Sequence, residues 1–403
     1  MNQPVPVPAH VPRDRVVDFD IYFPPAIEHD YFAAWQSLRR DHGPELLWTP
    51  HNGGHWIPTN GETIRSLWAD SVRLSNEVLT VPAGVGAAMR FIPLQQDPPE
   101  HTPFRSAVTK GFASKFIVAL EPRVTAVARE LIDTIVVRGE CEFVTEFAEV
   151  LPLVIFLTLI GVPTEDRTML RALGKQLTRP DGSMTPEQLR DAADDYLRPY
   201  VLARLERPGE DLFSRILAVP IEGRPWSFDE AQRMCRNLLF GGLDTVVANV
   251  GFIALHLARY PEDRRRLRED PALIPSAADE FLRRYASTSV SRNVIANFDV
   301  DGVTLQTGDI VFLASTLHNL DPRSFDDPET VRFDRKLSAT RHSAMGNGPH
   351  RCVGATLARM EIIVFLREWL ARMPDYRTHP DRPVVMKGGN VGACTDLPLQ
   401  WTN

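Results

Sequence analysis

The chain has 403 residues, 43% of them hydrophobic, enough to bury a large core, and a formal net charge of −7. That balance argues against a general nucleic-acid or anionic-membrane binder, either of which needs a basic surface. The stretch Met1 to Asp20 is rich in proline and charge and holds no apolar run of signal-peptide or membrane-spanning length, so a cytoplasmic protein is expected. No repeat or Gly/Ser linker divides the sequence, and its 33 prolines are scattered, so one continuous domain over 1–403 is expected.

In chain order, Leu46 to Trp48 and His55 to Ile57 flank Asn52-Gly53-Gly54, the pattern of a short hairpin around a turn that tolerates positive φ. Helical periodicity dominates after it. Ser227-Phe228-Asp229-Glu230 fits a capping box, and the helical pattern then runs without proline to Arg259. At 1.5 Å per residue that is a span of roughly 48 Å, enough to cross a domain. Within it lies Phe240-Gly241-Gly242-Leu243-Asp244-Thr245, where each glycine costs a helix about 1 kcal/mol relative to alanine. A close helix contact, a kink, and room for a flat cofactor or bound gas are equally open explanations.

Glu280 and Arg283 stand at i and i+3 on one helical face, where most such pairs are solvated. Asn297 to Val303 and Asp309 to Leu313 then read as short strands around turns at Asp301-Gly302 and Thr307-Gly308. A final helix is expected from Gly354 to Met373, its apolar width implying burial.

The four cysteines lie far apart and form no zinc or dithiol spacing, so Cys141, Cys235 and Cys394 read as small buried hydrophobes. Cys352 differs. It lies in Met345-Gly346-Asn347-Gly348-Pro349-His350-Arg351-Cys352-Val353-Gly354, a glycine-rich loop that delivers a lone thiol to a helix N-terminus. Nearby amides favour the thiolate, and the glycines let backbone pass close to a planar group, which supports metal ligation. A nucleophilic cysteine is the alternative, but it calls for a partnered base, and His350 belongs to the same short loop.

Through this loop, the Glu280/Arg283 pair and Gly241 to Thr245, in their family order, the sequence resembles the cytochrome P450 family. The likeness covers nearly the whole chain, including Gly53 to Ile57, Asp97-Pro98-Pro99-Glu100 and Thr178 to Thr185, and points to the bacterial camphor-hydroxylase branch and its norisoprenoid-oxidising relatives. It implies a mainly α fold, a triangular helical prism with small β-sheets, holding haem b with Cys352 as the proximal iron ligand. The thiolate pushes electron density onto iron and favours O–O cleavage. By the same resemblance Asp244 and Thr245 deliver protons, with Arg171 and Arg179 holding the aspartate, while His101, Arg105, Arg292 and His350 receive the haem propionates. Glu280, Arg283 and Arg335 form a structural ion-pair core.

Two departures matter. The usual aromatic at the head of the Cys loop is Met345, which is polarizable and apolar and leaves ligation intact. The tyrosine that donates to the substrate ketone in the camphor hydroxylase is matched by Met89, so camphor is not the expected substrate. The other matched pocket positions are Thr80, Leu177, Asn237, Phe240, Thr288, Asn390 and Val391, none charged. Asn237 or Asn390 either replaces the lost donor or satisfies backbone groups.

The expected function is therefore a monooxygenase hydroxylating a small neutral terpenoid or ionone-like norisoprenoid with O2. No flavin domain or ferredoxin cysteine set is recognisable, so electrons are expected from a [2Fe-2S] ferredoxin and its flavoprotein reductase, docking near Arg65, Arg105 and Arg351. A peroxide-driven haem-thiolate enzyme is a rival, disfavoured because the acid–alcohol pair is intact. A non-catalytic haem sensor or carrier is another; it needs no proton relay.

Overall fold

The computed structural model describes residues 4–338 and 341–402, and about half of the chain is helical. The early hairpin forms: Leu46–Thr49 and His55–Pro58 pair antiparallel with Trp48 opposite Trp56. Asn52, Gly53 and Gly54 take φ of 54°, 92° and 80°. Gly54 also has no room for a side chain, since a Cβ there would lie 2.7 Å from the Trp48 ring.

This hairpin edges a five-stranded sheet that continues through Ile310–Ala314 and Ser289–Val294 to Leu74–Ser75. Trp56 steps in parallel to Val311, and Val311 faces Arg292 across an antiparallel pair. Arg292 is thus carried by an interior strand. The turn expected at Asp301-Gly302 joins a hairpin of its own, Phe298–Val300 against Val303–Leu305. Positive φ at Asp301 and Gly302, 48° and 73°, reverses the chain at that turn.

The capping box at Ser227 is present: Ser227 Oγ accepts from the Glu230 amide at 3.3 Å, and the Glu230 carboxylate accepts from the Ser227 amide at 2.9 Å. The helix it starts does not run unbroken to Arg259. It is two helices, Phe228–Leu243 and Thr245–Arg259, joined at Asp244 with φ −134° and ψ −35°. By length and composition the combined stretch is apolar enough to cross a membrane, yet 72% of its apolar window is buried inside the fold.

The last long helix, Ala355–Arg372, buries Leu357, Ile362, Phe365 and Leu366. Its far end is anchored by the fully buried Trp369, set edge-on to Phe143 and Phe147 at 4.9 and 5.1 Å. Such pairs add about 0.5–1.5 kcal/mol each beyond the area they bury. Alongside, on helix Ile274–Arg284, the Glu280–Arg283 pair is not solvated: Glu280 Oε1 lies 2.7 Å from Arg283 Nη2 with both side chains fully buried, and Arg335 Nε reaches Glu280 Oε2 at 3.2 Å. Arg283 also donates to the carbonyls of Asn319 and Pro328, which ties three separate segments together.

Candidate functional site

One cavity opens between the broken central helix and the loop that precedes Ala355–Arg372; Gly241, Thr245 and Cys352 all line it. The two glycines divide the tasks left open by the sequence. A Cβ on Gly242 would lie 2.4 Å from the Phe156 ring, so this glycine allows a close helix contact. Gly241 has no atom within 4 Å of such a Cβ and faces the cavity.

At the break, the Thr245 hydroxyl makes only a long bond to the Gly241 carbonyl, 3.4 Å. Asp244 turns away from the cavity and is 1% exposed. Its carboxylate takes Arg171 Nη1 at 2.5 Å and Arg179 Nη2 at 2.6 Å on one oxygen, and the Thr178 hydroxyl at 2.7 Å on the other. Burial pushes the carboxyl pKa up, but Arg179 and Arg171 outweigh it and hold it down at about 2. Each arginine has a second tie: Arg171 to Glu149 at 3.2 Å, Arg179 to the Val391 carbonyl at 2.5 Å.

Across the cavity, Gly346 and Gly348 take φ of 69° and 66°, and a Cβ on Gly348 would stand 2.7 Å from Ala69 Cα. The loop closes through Cys352 N–H donating to the Met345 carbonyl at 2.7 Å. The thiol opens onto the cavity, where the surrounding protein raises its pKa and the Gly354 amide, Arg105 and Arg351 offset part of that. The Gly354 amide reaches the sulfur just ahead of the start of helix Ala355–Arg372. A coordinating cation deprotonates such a thiol outright.

His101, Arg105, Arg292 and His350 converge on the same cavity. The imidazole rings of His101 and His350 lie 4.3 Å apart, and each has its Nε2 buried without a hydrogen-bond partner. Burial lowers their pKa values to about 4 and about 2. Arg292 is 3% exposed and donates to its neighbour's carbonyl, Ser291, at 2.8 Å, and burial lowers its pKa to about 10. Arg105 donates to the Arg351 carbonyl at 2.5 Å. A buried guanidinium without a carboxylate and two orphaned imidazoles make a site that calls for an anion. A thiol at one end and anion receptors at the other are the donor set of a haem with propionates.

Of the positions expected to touch substrate, Asn237 and Thr288 line this cavity. The remaining six do not reach its wall. Met89 is fully buried and Phe240 packs against Phe91 at 5.8 Å. Thr80 Oγ1 accepts from the Gly86 amide at 2.9 Å. Asn390 is spent on Tyr22 and on both polar backbone atoms of Val81. Leu177 is half-buried, and Val391 is buried beside Thr288. Sequence reasoning missed Trp68, Asn249 and Glu361, all in the cavity wall. Glu361 had a signal: it falls four residues after Leu357 on an apolar face. Burial raises its pKa to about 8, so it is largely neutral at pH 7.

The comparisons agree with this geometry. A model of the family described as cytochrome P450 matches residues 212–374. The solved structure of CYP101C1 is 62% identical, superposes with a TM-score of 0.92, and covers 98% of this chain and 100% of its own. This chain belongs to the cytochrome P450 family. CYP101J2, at 39% identity and a TM-score of 0.91 over 99% of this chain and 100% of its own, places the P450 in the camphor-hydroxylase branch. The mycinamicin IV hydroxylase/epoxidase of Micromonospora griseorubida is 30% identical over 87% of this chain and 91% of that protein. The chain is thus a haem-thiolate monooxygenase with the P450 fold, binding haem b and working with O2, a redox partner and a hydrophobic substrate.

Proposed function

We propose that this P450, a single haem domain over 1–403 acting in the cytoplasm, hydroxylates a small neutral terpenoid or ionone-like norisoprenoid, with electrons from a [2Fe-2S] ferredoxin and its flavoprotein reductase. One observation carries the substrate class. Among the described residues, the cavity wall away from the anion receptors is apolar, broken by neutral groups such as Asn237, Thr288 and Thr245, and its one carboxyl, Glu361, is held largely neutral. A charged substrate finds no partner there.

Cys352 would supply the thiolate to the haem iron, and His101, Arg105, Arg292 and His350 would receive the propionates. Bound there, the haem supplies activation of O2 for insertion into a C–H bond. The protein's own part is position and protons. The Thr245 hydroxyl is free to leave its long bond to Gly241 and turn toward the cavity. Asp244 is ionised and held off the cavity, so it relays a proton to Thr245 only after releasing Arg171 or Arg179 and taking a proton up from solvent; the second ties of the arginines to Glu149 and Val391 keep the released one partnered by protein. With no charged partner in the wall away from the anion receptors, shape sets which carbon is attacked. Arg105 faces the cavity, which leaves Arg65, about half exposed, and the half-buried Arg351 as the expected ferredoxin contacts.

The test is to reduce the purified protein under carbon monoxide and follow the ferric Soret band while titrating β-ionone against camphor. A thiolate-type carbonyl spectrum with a high-spin shift for ionone and little for camphor is expected. An imidazole-type spectrum overturns the Cys352 assignment, and a strong camphor shift overturns the substrate class.

A further inference from the structure

Helix Ala83–Met89 is only seven residues long, ends at Arg90 in the left-handed region (φ 47°, ψ 47°), and leads directly into Pro93 and Leu94 of the cavity wall. A short helix followed by a turn leaves its last carbonyls without backbone partners. Here they are taken up by side chains of one neighbouring helix, Phe228–Leu243. Arg236 Nη2 donates to the Met89 carbonyl, Arg233 Nε to the Arg90 carbonyl at 2.6 Å, and Asn237 Nδ2 to the Ile92 carbonyl at 3.1 Å. Positions 233, 236 and 237 are i, i+3 and i+4, one face of the helix, and they grip the carbonyls of 89, 90 and 92.

The middle rung is itself fixed. Arg236 has a side chain 3% exposed, and its Nη1 binds both oxygens of Asp194, on helix Pro186–Glu206, the longer contact at 2.5 Å. Gln232, one turn back, donates to the same carboxylate at 3.1 Å and to the Asp194 carbonyl at 2.9 Å. The forked guanidinium therefore joins three helices at one point. The helix bearing these side chains goes on to Gly241 and ends at Leu243, just before Thr245, so the ladder sets the distance between the 89–94 wall and the oxygen-side groups.

We propose that Arg236, Asp194 and Arg233 are positioning residues for substrate: they touch no part of the cavity, yet fix the 89–94 wall and so determine what shape fits beside the iron. The proposal deepens the function proposed above and rests on a haem bound at Cys352.

It is tested with two iron-ligating probes on holoenzymes. Imidazole needs space only at the iron, whereas the ring of 4-phenylimidazole must seat against the wall. In R236Q, with a thiolate-type carbonyl spectrum retained, imidazole affinity is expected within about two-fold of wild type and 4-phenylimidazole affinity to change at least about five-fold, because small displacements of a wall are amplified in fit. R236K is expected to recover part of the change, since one ammonium serves Asp194 or Met89 but not both in a fork. An affinity ratio in R236Q equal to wild type overturns the proposal. If R236Q does not retain haem, R233A decides: its side chain is 28% exposed and its loss leaves the Asp194 pair intact, so a ratio shifted about two-fold is expected and an unchanged ratio overturns the ladder. A wild type with an imidazole-type carbonyl band sinks the proposed function instead, which separates the two failures.

Discussion

Glu280 and Asp244 each present a buried carboxylate to a pair of arginines, Arg283 and Arg335 in one case, Arg171 and Arg179 in the other. Around Glu280 the grip is closed. It sits inside a continuous helix, its first arginine is three residues away on the same face, and that arginine spends its remaining donors on the Asn319 and Pro328 carbonyls. Around Asp244 the grip is open. The residue lies in a break between two helices, Arg171 comes from within helix Arg167–Thr178 and Arg179 from the residue after it, and Arg171 has a second carboxylate in Glu149. The same three charges thus make a pin in one place and a latch in the other; backbone continuity and a second carboxylate within reach of one arginine decide which.

The comparison is broken most forcefully at Glu280. E280Q leaves Arg283 buried with no anion, a loss of about 3–5 kcal/mol. Little holoprotein is expected, and thermal unfolding of what survives should start well below wild type; a variant with wild-type Tm and haem content would show that the pin is dispensable. D244N is expected to behave otherwise. Arg171 keeps Glu149 and Arg179 keeps Val391, so the fold and the thiolate carbonyl spectrum survive, while product formation falls about 10²-fold for want of an ionisable proton carrier. Steady-state product yield per electron consumed is the measurement, and near-normal yield removes Asp244 from the relay.

Acid sharpens the contrast. The Asp244 pKa is depressed from 3.8 to about 2, so its contribution is fully present above the unfolded value and is lost as pH falls through the folded one. That shift corresponds to about 2 kcal/mol. The stability gap between wild type and D244N is expected to stay level above about pH 4 and to close toward pH 2. A gap that stays constant down to pH 2 would mean that the arginines do not hold the carboxylate in its charged form.

How far the sequence reached depended on the range of each signal. The capping box at Ser227, the hairpin around Asn52 to Gly54 and the glycine-rich approach to Cys352 are written in a few adjacent residues, and the structure follows them. The helix break at Asp244 is not, because the apolar pattern runs straight through it and what draws the carboxylate aside is Arg171 and Arg179, more than sixty residues away. Arg171 and Arg179 were reached only through family resemblance. The same resemblance matched pocket positions without side-chain directions, so it included Thr80 and Asn390, whose polar atoms are committed to backbone, and passed over Glu361, whose neutrality comes from burial alone.

The finest probe of the latch is Thr178. Its hydroxyl is the one uncharged donor to Asp244, 2.7 Å from the oxygen that the arginines do not take, and it has a second, longer bond to the Gly174 carbonyl at 3.3 Å. T178V keeps the volume and removes that donor, at a cost of about 1 kcal/mol in stability. Because both arginines remain, the carboxylate stays ionised at neutral pH, but less holds it back from the cavity. Product formation is therefore expected to match wild type or rise by about two-fold, with coupling of electrons to product preserved, whereas a closed grip such as that on Glu280 gains nothing from losing a partner. A fall of ten-fold or more, on the order of a lost general acid, would place the Thr178 hydroxyl in the proton path and turn the latch into part of the relay.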